Sequence, residues 1–285
     1  MKKIRFIYAL LAVVILACSN PKQPQPETAK GLRIVSTAPS ATEILFALGL
    51  GAQVVGVTRY CDYPPEALKL PKVGGFTDLS IEAIMTLKPD IVVGSRISNL
   101  RPVVDKLEEL GVKTAFFPDD DLAQVLSAIR EIGAAVGEAE KAKALSKDLE
   151  ERMNQIKTAT QAEPAPRVLL IVGWKPIILA AKGSFLDTLL QYAGGVNAVQ
   201  DAKVAYPNYE LEAIIRSAPE VIIDASMENP NADIKARWAE FTDIPAVKNE
   251  KVFMAPSQSL LRPGPRLAEG LLALAKLLHP TIIIP

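Results

Sequence analysis

Two stretches of this chain carry the same order of residues, and that order dictates most of what the chain can become. Glu82-Ala83-Ile84 is followed by Pro89-Asp90-Ile91-Val92-Val93, and Glu212-Ala213-Ile214 by Pro219-Glu220-Val221-Ile222-Ile223. Each reads as a short helix ended by a proline, whose ring cannot continue it, and then a buried strand. Two further pairs keep the same order. Ser40-x-x-Glu43 and Ser184-x-x-Asp187 each carry a helix-start signature, and Lys113 to Pro118 and Lys251 to Pro256 each read as a short strand ending at proline. The serine, glutamate and lysine pairs are separated by 144, 130 and 138 residues. Two copies of one unit with loop insertions produce such spacing, whereas chance matches need not keep their order.

Within each unit strands alternate with helices. The first predicts strands over 33–37, 53–57, 90–94 and 112–117, with helices over 40–49, 79–87 and 100–110. The second begins at Arg167-Val168-Leu169-Leu170-Ile171-Val172 and repeats the architecture to a last helix ending near Leu278. Such alternation favours a mostly parallel sheet covered by helices on both faces. Between the units, 138–161 contains no glycine or proline and places Ala142, Leu145, Leu149, Met153 and Ile156 on one helical stripe. The expectation is therefore two doubly wound α/β lobes, 32–137 and 164–285, joined by one long helix, with a ligand cleft between them, where small-molecule sites commonly form. An ordinary surface helix of the first lobe is the alternative for 138–161.

The first residues describe where the chain goes. Lys2, Lys3 and Arg5 precede an apolar run from Phe6 to Leu16, and Ile15-Leu16-Ala17-Cys18 follows, the order of a secretory signal. The run is about a dozen residues, short of the roughly 20 that a membrane-spanning helix needs. The tetrapeptide resembles the bacterial lipobox, which makes 1–17 a signal peptide and Cys18 a lipid carrier; an ordinary signal with an incidental cysteine is the alternative. Residues 18–31, rich in proline and polar side chains, cannot bury a core and read as a spacer. The expected location is extracytoplasmic, tethered to a bacterial membrane through Cys18.

Composition removes several function classes. The formal net charge is zero, which argues against nucleic acid or a polybasic membrane surface as partner. Val35-Ser36-Thr37-Ala38-Pro39-Ser40 lacks the glycines of a nucleotide fingerprint after the first strand. The only histidine, His279, falls at the end of the last helix, where it complements the helix dipole, so zinc or manganese capture and His-dependent hydrolysis find little support. No metal site and no cofactor are expected, and the chain is read as a non-enzyme. Aromatic residues Tyr60, Tyr63 and Phe76 fall in loops of the first unit, and Trp174 and Tyr206 at corresponding positions of the second. Large rings with polar edges suit a broad, flat, amphipathic ligand, although each could simply pack its own loop.

Arg33-Ile34-Val35-Ser36-Thr37-Ala38-Pro39-Ser40-Ala41-Thr42-Glu43, Val57 to Pro65, Gly74-Gly75-Phe76, and Ile81 to Ile84 with Lys88-Pro89-Asp90 resemble the helical-backbone (class III) solute-binding proteins of ABC importers, nearest to their cobalamin-binding branch. The resemblance covers residues 32 to 279. It implies a monomeric binding protein that holds cobalamin or a related corrinoid and delivers it unchanged to a permease. It further implies ligand contacts from Tyr60, Phe76, Trp174, Ile178 and Tyr206, hydrogen bonds to the ligand from Arg262, and permease docking through Glu82 and Glu212. Phe76 stands where a relative has tryptophan, and Ile178 where it has phenylalanine. Haem or ferric-siderophore binding is the alternative ligand class. An extracytoplasmic corrinoid-handling enzyme and a scaffold lipoprotein are alternatives of other classes. Glu82 and Glu212 would also complement helix dipoles, and Cys61 is read as a buried thiol rather than a metal ligand.

Overall fold

The structure, a computed structural model, describes residues 31–96, 100–226 and 233–284. The signal segment 1–17, the lipidation site Cys18 and the spacer up to residue 30 lie outside the described residues. Residues 32–285 form one compact unit.

The first sheet contains β1 (Ile34–Ser36), β2 (Val54–Val57), β3 (Ile91–Ser95) and β4 (Lys113–Phe117), all parallel in the order β2-β1-β3-β4. Its helices are α1 (Pro39–Ala47), α2 (Ile81–Thr86), α3 (Arg101–Glu109) and α4 (Leu122–Ala135). The linking helix α5 runs Ala139–Thr160, 22 residues, which at 1.5 Å per residue is about 33 Å. The second sheet contains β5 (Arg167–Trp174), β6 (Ile177–Leu179), β7 (Val196–Asn197), β8 (Val221–Asp224) and β9 (Val252–Met254), with α6 (Phe185–Tyr192), α7 (Leu211–Ser217), α8 (Ile234–Trp238), α9 (Pro245–Lys248) and α10 (Leu267–Leu278) around it.

Alternation along the central strands explains why helices cover both faces. In β5, Val168 and Leu170 join the main hydrophobic cluster while Leu169 and Ile171 join a second cluster confined to that lobe. In β3, Ile91 and Val93 join the main cluster and Val92 a third. Successive strand side chains point to opposite faces, so a strand apolar on both must be sandwiched. The main cluster also runs through α5, where Ala142, Leu149, Met153 and Ile156 are buried, and on into α10. The linker is thus part of a core shared by both lobes, and truncating Leu149 or Met153 would cost about 2–5 kcal/mol.

The repeat is real in three dimensions. Backbone N–H of Arg33 donates to Asp90 Oδ2 at 2.8 Å and that of Arg167 to Glu220 Oε2 at 2.7 Å. The Arg33 guanidinium caps the Leu87 carbonyl at 2.7 Å and the Arg167 guanidinium the Ser217 carbonyl at 2.6 Å. The residues before the two prolines, Lys88 and Ala218, both take left-handed backbone, φ 49° and 43°.

Three expectations need correcting. Ser40 does not cap α1: Ala38 holds that position without a side-chain bond, and Pro39, with its preset φ, opens the helix. Ser40 Oγ instead donates to Asp119 Oδ2 at 3.2 Å, and Glu43 faces inward to arginines. Ser184, its counterpart, does cap α6, accepting from Asp187 N at 3.1 Å. The second lobe is also not a faithful copy. β5 continues into an antiparallel hairpin with β6, and β7, the counterpart of β2, pairs β5 over two residues only. Finally, α4 has no counterpart among the expected elements. It packs along α5 because Gly133 leaves room for Ala142; a Cβ there would lie 2.1 Å from the alanine methyl. His279 does sit at the end of α10, but its ring is buried and donates to the Ala193 carbonyl at 3.0 Å, tying α10 to the end of α6.

Candidate functional site

The first-lobe wall is built from two loops knitted together. Tyr60 and Phe76 stack face to face, ring centroids 4.6 Å apart and planes 8° from parallel, an arrangement worth about 0.5–1.5 kcal/mol beyond area burial. Arg59 N–H donates to the Gly74 carbonyl at 2.9 Å, and the Arg59 guanidinium pairs with Asp78. Asp78 Oδ1 also accepts from Gly75 N at 3.1 Å. Gly74 takes φ 117°, and a Cβ there would lie 2.3 Å from the Asp78 carbonyl oxygen, so the approach requires glycine. Below the stack, the buried Cys61 Sγ sits 3.1 Å from both the Thr42 and Thr58 hydroxyls. This thiol is a packing element of the loop. Among the described residues no group of His, Cys, Asp or Glu is arranged to hold a metal ion.

The second-lobe residues divide into two groups. Backbone bonds from Leu179 N to Pro207 O and Ala181 N to Ala205 O hold Tyr206 alongside β6, and Ile178 bridges Asn208. Tyr206 is 47% exposed. Burial of the remainder raises the pKa of its hydroxyl, opposed by a hydrogen bond at Phe185; the charge of Asp120, between β4 and α4 of the first lobe, raises it further. Trp174 belongs elsewhere. It lies within β5 rather than in a loop, and pairing with Ile177 while Gly173 pairs with Ile178 puts Trp174 and Ile178 on opposite faces of the hairpin. Its Nε1 donates to Asp224 Oδ2 at 2.7 Å, Arg237 lies 3.9 Å over its ring, and Trp238 packs against it.

Just after β4, Asp119 accepts from the Ser95 and Ser40 hydroxyls. Burial raises its pKa against the lowering effect of those two bonds.

Behind the Tyr60 loop the lobes are bolted together by charge. Glu43 of α1, its side chain 2% exposed, accepts from Arg266 Nε at 2.9 Å and from another guanidinium nitrogen of Arg266 at 2.6 Å. Arg262 reaches Glu43 at 3.5 Å and grips both carboxylate oxygens of Asp62. Arg266 also lies 3.5 Å over the Tyr63 ring. The hydrogen bonds from Arg262 hold the Asp62 carboxyl below its ordinary value, and Asp62 and Glu43 in turn push the pKa values of Arg262 and Arg266 up. Glu43, Asp62 and Arg266 were absent from the sequence-derived site. A glutamate within the apolar stretch of α1 was the readable signal, since a buried charge needs a partner.

Glu82 and Glu212 occupy the same place in the first turns of α2 and α7, and both are exposed.

A sheet-and-helix lobe repeated about a long helix, with the side chains expected at the ligand carried on loops and edges of both lobes, defines a class of two-lobed binding protein. Residues 34–259 match the periplasmic binding protein family model, and the chain belongs to that family. It is 31% identical over 238 residues to the vitamin B12-binding protein of Vibrio cholerae, covering 84% of this chain and 86% of that one. The crystal structure of the periplasmic vitamin B12 binding protein BtuF of Vibrio cholerae matches with a TM-score of 0.74 at 30% identity, over 86% of this chain and 96% of that one. The periplasmic heme-binding protein RhuT from Roseiflexus sp. RS-1, in apo form, matches with a TM-score of 0.77 at 26% identity, over 87% and 99%.

Proposed function

We propose that this chain is the lipid-anchored substrate-binding protein of an ABC importer, taking cobalamin or a related corrinoid into the space between its lobes and passing it unchanged to a permease. The observation that carries the reading is the stacked Tyr60–Phe76 pair, a rigid, partly exposed aromatic surface on one lobe, in a chain 31% identical to a vitamin B12-binding protein. Ile178 and Tyr206 supply the facing contacts. Trp174, turned to Asp224 and Arg237 on the opposite face of the hairpin from Ile178, is left out of the proposed contacts.

Haem is the competing ligand, favoured by the likeness to heme-binding structures. The higher identity to a vitamin B12-binding protein, 31% against 26% for the heme-binding structure, favours the corrinoid. Isothermal titration with cyanocobalamin and with haemin decides between them: heat with haemin alone overturns the corrinoid reading.

Glu82 and Glu212, one per lobe on a rigid frame, are proposed to dock on arginines of the permease, fixing orientation as well as attraction. Cys18 is proposed to carry the lipid, and the spacer to keep the protein near its permease at raised effective concentration. Replacing Cys18 with alanine should release the protein from the membrane fraction.

A further inference from the structure

Arg262 has two possible uses in a binding protein of this shape: donating to the ligand or holding the wall that the ligand meets. Its side chain is only 11% exposed, and both terminal nitrogens are committed, one to Asp62 and Glu43, the other to Asp62 at 2.8 Å and Gln258 at 3.3 Å. Asp62 lies two residues from Tyr60 and beside Tyr63, whose ring carries Arg266. A planar guanidinium meeting a carboxylate through two bonds restrains direction as well as distance. The Tyr60 loop is thereby held from both ends: by Arg59 to Asp78 within its own lobe, and by Asp62 to Arg262 across to the other lobe.

We infer that Arg262 is a positioning residue, which acts through Asp62 to hold the Tyr60–Phe76 wall in register with the opposite lobe and does not itself bind the ligand. The inference rests on the cleft being the ligand site. Its energetic logic is preorganisation: a wall ordered before the ligand arrives leaves less ordering to be done on binding. Arg266 keeps Glu43 paired when Arg262 is removed, so the variants below should fold.

The test is a double-mutant cycle with Arg262→Ala, Asp62→Asn and the combination, read by titration with cyanocobalamin. Each single change should weaken binding about tenfold, and the combination should be no weaker than either, because the two residues act as one unit. If Arg262 binds the ligand directly, Asp62→Asn frees its donors and leaves affinity unchanged or improved, and losses in the combination add; either result overturns the inference. A ligand-independent measurement runs beside it. Amide exchange of Arg59, Cys61 and Gly75 in the unliganded protein should accelerate in both single variants while Ile129 and Leu149 remain protected. Unchanged exchange in the loops overturns the inference as well. Should the wild-type protein bind haemin and ignore cyanocobalamin, the corrinoid reading fails alone, and the cycle repeated with haemin still decides the role of Arg262.

Discussion

The two lobes share one plan at the end of each sheet where its strands begin and diverge at the opposite end. At the starting end Arg33, Asp90 and Leu87 repeat as Arg167, Glu220 and Ser217, with nearly equal distances. At the other end the first lobe presents the knitted loops of Tyr60 and Phe76, and the second an antiparallel hairpin with a loop laid beside it. The strand starts satisfy the same backbone N–H groups in the same way in both copies. Loops at the far end carry no such shared backbone requirement, so they can differ while the frame is kept.

The largest test of that symmetry concerns Glu82 and Glu212. Replacing both with alanine should abolish transport while leaving ligand affinity intact, and each single change should cost a comparable share, about tenfold or more, measured as uptake by reconstituted vesicles. Loss of affinity would place them in ligand binding instead. The divergent end is tested by Tyr60→Ala and Tyr206→Ala, each expected to weaken cyanocobalamin binding about tenfold as central aromatic contacts. Ile178→Phe should strengthen it a few-fold by restoring ring area. If Tyr206→Ala has no effect, the site belongs to one lobe.

The shared end makes a smaller prediction. Asp90→Ala and Glu220→Ala each remove a carboxylate that accepts a backbone N–H and should each lower stability by about 1 kcal/mol in denaturant titrations. Unequal losses would break the equivalence. Smallest is Asp119→Asn. The folded protein binds this proton more tightly than the unfolded chain, because burial raises the group above its ordinary 3.8. Wild type is therefore penalised at neutral pH and gains as pH falls through the raised value towards 3.8. Asparagine keeps partners for both serines, so the variant should melt slightly higher at pH 7 and lose that advantage below about pH 4. A constant difference across pH would refute the shift.

Much of the fold was legible because it is written in local periodicity. The stripe from Ala142 to Ile156 marked α5, and prolines marked the ends of β4, β9 and the helices before β3 and β8. α4 was equally legible in Leu122, Val125, Leu126, Ile129 and Ile132 after the capping Asp121, yet Gly133 interrupts the stripe, and only the neighbouring Ala142 explains why glycine belongs there. The hairpin was illegible, because Arg167 to Trp174 reads as one buried strand whichever way its successor turns.

The sequence by itself determined the repeat, the alternation of strands and helices, the long linker and the loop positions of Tyr60, Tyr63, Phe76 and Tyr206. Only the tertiary structure decided which of those aromatics meet, that Trp174 faces Asp224 and Arg237, and that Glu43 and Asp62 are partnered by Arg266 and Arg262 some two hundred residues away. Periodicity is a property of neighbours along the chain and can be read from spacing. Charge pairing between lobes depends on where the core, once packed, brings distant segments together.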